Sequence, residues 1–182
     1  MKAKVCLVGD AAVGKTSLIR RFVHDAFSDA YVSTLGAKVL AKDVTVPVPQ
    51  EHDVDVRMAI WDIIGETSLM EDLGETFFSG VQGVVAVCDL TRYSTFERLP
   101  LWIDAVKKTA GDVPVALAVN KTDMREQVIV LYEESRIQDF AERWNARWRY
   151  TSAKTGTNVE SLFFGLAEDM VRRLTAAQPH PV

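Results

Sequence analysis

Two cysteines, Cys6 and Cys88, are too few for a disulfide-stapled fold. Each lies in an apolar run, so both are expected to be buried free thiols in a reducing compartment. No apolar stretch reaches the ~18 residues of a membrane-crossing helix, and Met1-Lys2-Ala3-Lys4 enters an apolar run without a secretory pattern. Residue 2 is not the glycine that myristoylation needs, and Gln178-Pro179-His180-Pro181-Val182 has no cysteine to prenylate. The chain as given is therefore expected to be cytoplasmic and to carry no lipid anchor. A basic excess is also missing: the net charge of −4 gives no nucleic-acid footprint. No internal repeat, low-complexity segment or linker interrupts the 182 residues, of which 48% are hydrophobic and 25% charged. That is enough for one well-cored domain, expected over 1–176 with a short tail at 177–182.

What is present is concentrated first in Gly9-Asp10-Ala11-Ala12-Val13-Gly14-Lys15-Thr16, between the apolar run Val5–Val8 and the helical pattern Ser17–Phe22. Strand, glycine-containing loop and helix start in this order form the context of a phosphate-binding P-loop. Gly9 and Gly14 let the backbone N–H groups face one concavity, and the helix start adds the positive end of its dipole. Lys15 supplies a full charge for β- and γ-phosphates, and the Thr16 hydroxyl is a hard oxygen suited to Mg²⁺. Alone, this motif specifies a nucleoside triphosphate and no more.

Short apolar runs at 4–8, 54–61, 81–89 and 113–119 alternate with helical patterns, which predicts βαβ units and a mainly parallel sheet. The stretch 37–48 connects to 54–61 through too few residues for a crossover helix, so the two are expected to form an antiparallel hairpin. Pro47 and Pro49 suit its loop or edge. Ser94-Thr95-Phe96-Glu97 and Thr157-Asn158-Val159-Glu160 read as capping boxes. Pro100 requires the first of these helices to start later or to bend. Val159, Leu162, Phe163, Leu166 and Met170 predict a C-terminal helix to about Leu174, and Ile137, Phe140, Ala141 and Trp144 another core-facing stripe.

Asn120-Lys121-Thr122-Asp123 follows the run Val113–Val119, at the carboxyl end of a strand, where open α/β sheets bind ligands. An Asp123 carboxylate accepts only, so it can take two hydrogen bonds from guanine's N1–H and exocyclic amine. Adenine has no donor at N1. A site built on such bonds discriminates strongly. Thr151-Ser152-Ala153-Lys154 follows a later strand and offers a backbone N–H to the guanine carbonyl.

With these motifs in this order, the chain resembles the Ras superfamily of small GTPases, most closely its Rab-like members, over roughly residues 4–174. Tyr31-Val32-Ser33-Thr34-Leu35-Gly36 looks like the family's switch I, and Trp61-Asp62-Ile63-Ile64-Gly65 like the D-x-x-G motif that opens switch II. The resemblance implies a P-loop G domain: a mainly parallel six-stranded α/β sheet with one antiparallel edge strand and helices on both faces. It implies nucleotide contacts from residues 9–17, with Ser17 the last, and from Phe27, Tyr31, Thr34, Gly65, Asn120, Lys121, Asp123, Ser152, Ala153 and Lys154. Phe27 would stack on guanine and Lys121 would cover its other face. Mg²⁺ would be held by Thr16, Thr34 and, through a water, Asp62. Catalysis would rest on Lys15, Thr34, Gly65 and position 66. Loss of the γ-phosphate would release Thr34 and Gly65, so that effector, activating and exchange proteins read the nucleotide state through residues 28–36 and 62–80.

Four departures qualify the resemblance. The family's water-orienting Gln is replaced by Glu66, which accepts but does not donate and whose charge sits badly beside a γ-phosphate. It either holds a water or, with a raised pKa, acts as a base. The simpler expectation is slow intrinsic hydrolysis, or a water positioned by another group. Switch I, Ala30-Tyr31-Val32-Ser33-Thr34, has no arginine to assist in cis. Ile63-Ile64 makes switch II more apolar, and the hairpin connection Pro47–Asp53 is longer than usual. The missing terminal cysteine departs from Rab-like anchoring. The alternative to a slow GTPase switch is a GTP-binding interaction module with negligible hydrolysis.

Overall fold

The computed structural model describes residues 1–29, 37–49, 52–65, 76–127 and 133–177. Its strands are β1 (Lys2–Val8), β2 (Ala37–Val46), β3 (Val54–Ile63), β4 (Gly83–Asp89), β5 (Val115–Asn120) and β6 (Arg147–Tyr150). The helices are α1 (Lys15–His24), α2 (Tyr93–Glu97), α3 (Leu99–Ala110), α4 (Glu134–Trp144) and α5 (Val159–Ala177), with a 3₁₀ segment at Thr122–Gln127. The six strands form one sheet in the order β2-β3-β1-β4-β5-β6. All pairings are parallel except the β2–β3 hairpin, which runs from Ala37 opposite Ile63 to Val46 opposite Val54. This is the α/β fold expected from the alternation of runs.

The continuous apolar runs arise because the central strands are covered on both faces. Alternate residues divide cleanly: Val5, Leu7, Val85, Val87, Ala116 and Ala118 face one layer, while Cys6, Val8, Val84, Ala86, Cys88 and Leu117 face the other. The first layer is closed by α1 and α5, the second by α3 and α4. Both cysteines are buried free thiols, and burial pushes the Cys6 thiol up to about 12. Among the described residues no helix is long and apolar enough to cross a membrane.

The structure corrects several local expectations. Pro100 does not bend a long helix: α2 ends at Glu97, Arg98 links, and Pro100 sits at the start of α3, where its missing N–H breaks no helical bond. Ser94 lies inside α2 and caps nothing. Thr95 next to it accepts from the Asp89 N–H at 2.9 Å and donates to the Arg92 carbonyl at 2.7 Å. Thr157 pairs with the Thr155 hydroxyl at 2.7 Å, and Asn158 enters α5 with φ 54°. The last helix continues beyond Leu174 to Ala177. Residues 178–182 of the expected tail lie outside the described residues.

Phe22 of α1 stacks on Phe163 of α5, with ring centroids 4.1 Å apart and planes 7° from parallel. Phe163 is fully buried. Phe163→Ala is expected to lower unfolding free energy by about 3–5 kcal/mol, the usual cost of emptying a buried aromatic site. Urea unfolding at fixed nucleotide concentration measures it, and a loss below about 1 kcal/mol would contradict the assigned packing.

Candidate functional site

The phosphate-loop sequence lies beyond the carboxyl end of β1, where connections leave for opposite sides of the sheet. That is the topological switch point at which open α/β sheets form crevices. Both loop glycines are forced by contact as well as conformation. Gly9 has φ 134°, and a Cβ there would lie 2.2 Å from the Val87 carbonyl oxygen. Gly14 has φ 101°, and its Cβ would meet Asn120 Nδ2 at 2.3 Å. Between them Ala12 adopts a left-handed φ of 61°. Helix α1 begins directly after Gly14 with no side-chain cap and no acidic residue in its first turn. Its first N–H groups and the positive dipole end thus face the loop.

Lys15 curls back over this loop, its Nζ donating to the carbonyls of Gly9 at 2.7 Å and Asp10 at 2.8 Å. The side chain is buried, and burial lowers its pKa to about 8; Asp62 and Asp10 oppose that shift, while Arg92 adds to it. Lys15 is thus a buried cation held at the loop by two backbone carbonyls. The adjacent Thr16 hydroxyl donates to Asp62 Oδ2 at 2.5 Å. Asp62 is buried at the end of β3. A hydroxyl and a carboxylate converging beside Lys15 are hard oxygen donors of the kind Mg²⁺ takes, usually with phosphate oxygens and waters completing the shell. Residues Thr16 and Asp62 thus fit that ion. Among the described residues no cluster of three His, Cys, Asp or Glu offers a competing metal cage.

Gly65 lies against the same loop: a Cβ on it would stand 2.5 Å from Ala11 N, the Asp10 carbonyl carbon and Lys15 Nζ. Asp10 turns its own carboxylate away from the concavity, accepting from Trp102 Nε1 at 3.2 Å and pairing with Arg98 at 3.0 Å. Its contribution to the concavity is backbone. Tyr31, Thr34 and Glu66 lie outside the described residues.

The second half of the site is built on β5 and the loop after β6. Asn120, buried at the end of β5, donates from Nδ2 to the Val13 carbonyl at 2.9 Å. Its Oδ1 accepts from the Thr151 hydroxyl at 3.2 Å and from the Ala153 N–H at 3.3 Å. One amide thereby joins three loops. Lys121, with φ 67°, sends Nζ to Asp89 Oδ2 at 2.7 Å. Asp123 is exposed, and its Oδ1 accepts from the Ser152 hydroxyl at 2.6 Å. Ser152 Oγ accepts in turn from the Thr155 N–H at 3.1 Å. Arg21 of α1 fixes the facing loop, donating to the carbonyls of Ala153 at 2.9 Å and Lys154 at 2.7 Å. Lys154 also pairs with Asp29 at 3.6 Å. Phe27 is half-buried beside the core layer closed by α1 and α5.

Sequence reasoning did not single out Arg21, Asp89, Arg92, Arg98 or Trp102. Asp89 had a legible signal, because a carboxylate closes the otherwise apolar run Gly83–Cys88. Burial pushes its carboxyl up, but hydrogen bonds from Lys121 and Thr91 outweigh that and hold it below the usual carboxylate range.

The assembled surface has a cationic, N–H-rich end at Lys15 and a polar end at Asp123 and Ser152. Comparison with known proteins agrees with it. A model described as "Ras: Ras family" matches residues 4–172. The chain is similar to Ras-related protein Rab-10 of Diplobatis ommata, at 32% identity over 97% of this chain and 84% of the relative. It is also similar to Ras-related protein Rab-1A of Dictyostelium discoideum, at 30% identity over 97% of this chain and 84% of the relative. Ras-related protein RABF2a of Arabidopsis thaliana is 32% identical over 98% of this chain and 86% of its own length. By its sheet order, its phosphate loop and these relatives, the chain belongs to the Ras family of small GTPases and is Rab-like within it.

Proposed function

We propose that this protein is a guanine-nucleotide switch that binds GTP with Mg²⁺ and hydrolyses it slowly unless a partner assists. The observation that carries the reading is the Asn120 amide, which fixes the phosphate loop at Val13 and the Ser152–Ala153 loop together. In this reading Asp123, oriented by Ser152, takes hydrogen bonds from guanine N1–H and the exocyclic amine, and the Ala153 N–H faces the guanine carbonyl. Backbone N–H groups of residues 11–17 and the Lys15 ammonium take the phosphates. Thr16, Thr34 and Asp62 would hold Mg²⁺, which would neutralise negative charge on the phosphates. Thr34 and Gly65 would tether to the γ-phosphate, and effector, activating and exchange proteins would read residues 28–36 and 62–80. With Glu66 in place of a donor beside the attacking water, an activating protein's arginine is the natural supplement.

Phosphate release from GTP, measured alone and with cell extract, tests the enzyme reading; no turnover in either leaves only the GTP-binding module. In single-turnover assays Glu66→Gln is expected to raise the rate by about tenfold or more, as one added donor does at a developing charge. If Glu66→Ala hydrolyses as fast as the wild type, Glu66 has no part in the intrinsic reaction.

Base recognition has a chemical swap as its test. Asn at position 123 offers a donor where Asp accepts, and xanthine presents a carbonyl where guanine presents its amine. Asp123→Asn is expected to weaken GDP binding by roughly a hundredfold or more and to strengthen XDP binding. Unchanged base preference would contradict the assignment.

Lys15 predicts a pH dependence with a definite sign. In the free protein its pKa lies near 8, and bound phosphates raise it, so binding takes up a proton above pH 8. Affinity for GDP is therefore expected to be flat below about pH 7.5 and to fall by up to about tenfold per unit above 8. Calorimetric titration at pH 8.5 in buffers of different ionisation enthalpy should show net proton uptake that Lys15→Met abolishes. Proton uptake retained in that variant would place the titrating group elsewhere.

A further inference from the structure

Arg92 is not accounted for by the roles above, and its placement is specific. Its Nε donates to the buried Asp89 carboxylate at 3.0 Å, while Nη2 reaches across to the Ala11 carbonyl at 2.9 Å. The fork therefore connects the end of β4 to the outer turn of the phosphate loop. Asp89 is itself fixed: its Oδ1 accepts from the Thr91 N–H at 2.9 Å and the Thr91 hydroxyl at 2.8 Å, and its Oδ2 from Lys121 at 2.7 Å. A guanidinium is planar and holds two acceptors at once, which a single ammonium does less well.

The peptide that Arg92 grips is the sensitive one. The described residues contain no cis peptide bond, so the Ala11 carbonyl and the Ala12 N–H point in opposite directions. Holding the carbonyl outward on Arg92 directs the Ala12 N–H inward, to the concave side. Ala12 is the loop's non-glycine residue with left-handed φ, a conformation that needs outside support. Gly65 packs at the Lys15 end of the crevice, where a Cβ on it would stand 2.5 Å from the nitrogen of the same Ala11 and from Lys15 Nζ. The Arg92 charge also reaches this end, since it contributes to lowering the Lys15 pKa.

We propose that Arg92 is a positioning residue that sets the Ala11–Ala12 peptide and makes the site selectively favour nucleoside triphosphate over diphosphate. The selectivity follows from location. The grip acts at the phosphate end where Gly65 also docks, so a third phosphate feels its loss most. The inference rests on the guanine-nucleotide reading above.

The test compares release of fluorescent (mant) GDP and of a non-hydrolysable mant-GTP analogue, both with Mg²⁺, from full-length wild type, Arg92→Ala and Arg92→Lys. Arg92→Ala is expected to speed triphosphate release about tenfold and diphosphate release less than about threefold, the loss of one charge-assisted hydrogen bond. Arg92→Lys keeps the cation without the fork and should fall between. If Arg92→Ala does not fold, as judged by its circular dichroism, Arg92→Lys decides: selective acceleration of triphosphate release supports the proposal. Equal acceleration of both nucleotides would show a merely structural role, and no acceleration would show none; either overturns it. Wild type that binds neither nucleotide would instead sink the guanine-nucleotide reading.

Discussion

The site depends on one buried side-chain amide. Asn120 uses its donor on the Val13 carbonyl and its acceptor on Thr151 and Ala153. A carboxylate could not donate to Val13, and a hydroxyl would not span these partners. Because Asn120 ends β5, its Cα is fixed by the sheet, and the three loops inherit that fixity. Gly14 completes the arrangement from the other side, since any Cβ there would collide with the same amide. Backbone stitching follows the same seam: the Thr151 N–H donates to the Val119 carbonyl at 2.9 Å and the Thr122 N–H to the Thr151 carbonyl at 3.1 Å. The distance between the two ends of the crevice is thus set by rigid strand ends rather than by loops alone.

Charge is arranged on this frame so that the concavity stays positive. Two aspartates, Asp10 and Asp62, lie within reach of Lys15, and either would repel a phosphate if left facing it. Asp10 is neutralised by Arg98, on the link into α3, and hydrogen-bonded by Trp102 of α3. Asp62 is directed to Thr16, where a divalent cation is the natural complement. Asp89 in turn pairs with the cations Lys121 and Arg92. The short α2 and the break at Arg98 thereby serve the site, because they put Arg92 on Ala11 and Arg98 on Asp10 of one loop.

Legibility in the sequence tracked how local the cause was. The phosphate loop was readable because glycine, lysine and threonine are needed at fixed spacing, and the central strands because burial on both faces makes them continuously apolar. The hairpin was readable from the shortness of its connection. By contrast β6, Arg147-Trp148-Arg149-Tyr150, is a four-residue edge strand whose charges hide it, although the loop that follows announced it. Ser94 looked like a cap because the pattern matched, but Thr95 won the local competition by bonding the Asp89 N–H. The partnerships of Asn120 with Val13 and of Arg92 with Ala11 are long-range. No periodicity encodes them, and the motif showed only that Asn120 belongs to the site.

Gly65 and Ser79 show how a change at the phosphate end would leave the crevice. The segment 62–80 has two described ends held by different things. At the far end the Lys4 ammonium donates to the Ser79 carbonyl at 2.8 Å and lies 4.2 Å over the Trp61 ring, while Trp61 meets Phe77 edge-on at 6.2 Å. Those contacts belong to β1 and β3 and do not involve the phosphate loop. At the near end Gly65 packs so closely that a Cβ on it would stand 2.5 Å from Ala11 N, the Asp10 carbonyl carbon and Lys15 Nζ. The described part of this segment thus meets the phosphate loop at Gly65 and β1 at Ser79. The two described ends are anchored differently, one to the sheet and the other to the phosphate loop. The closeness of the approach at the near end is why position 65 takes a glycine rather than any other small residue.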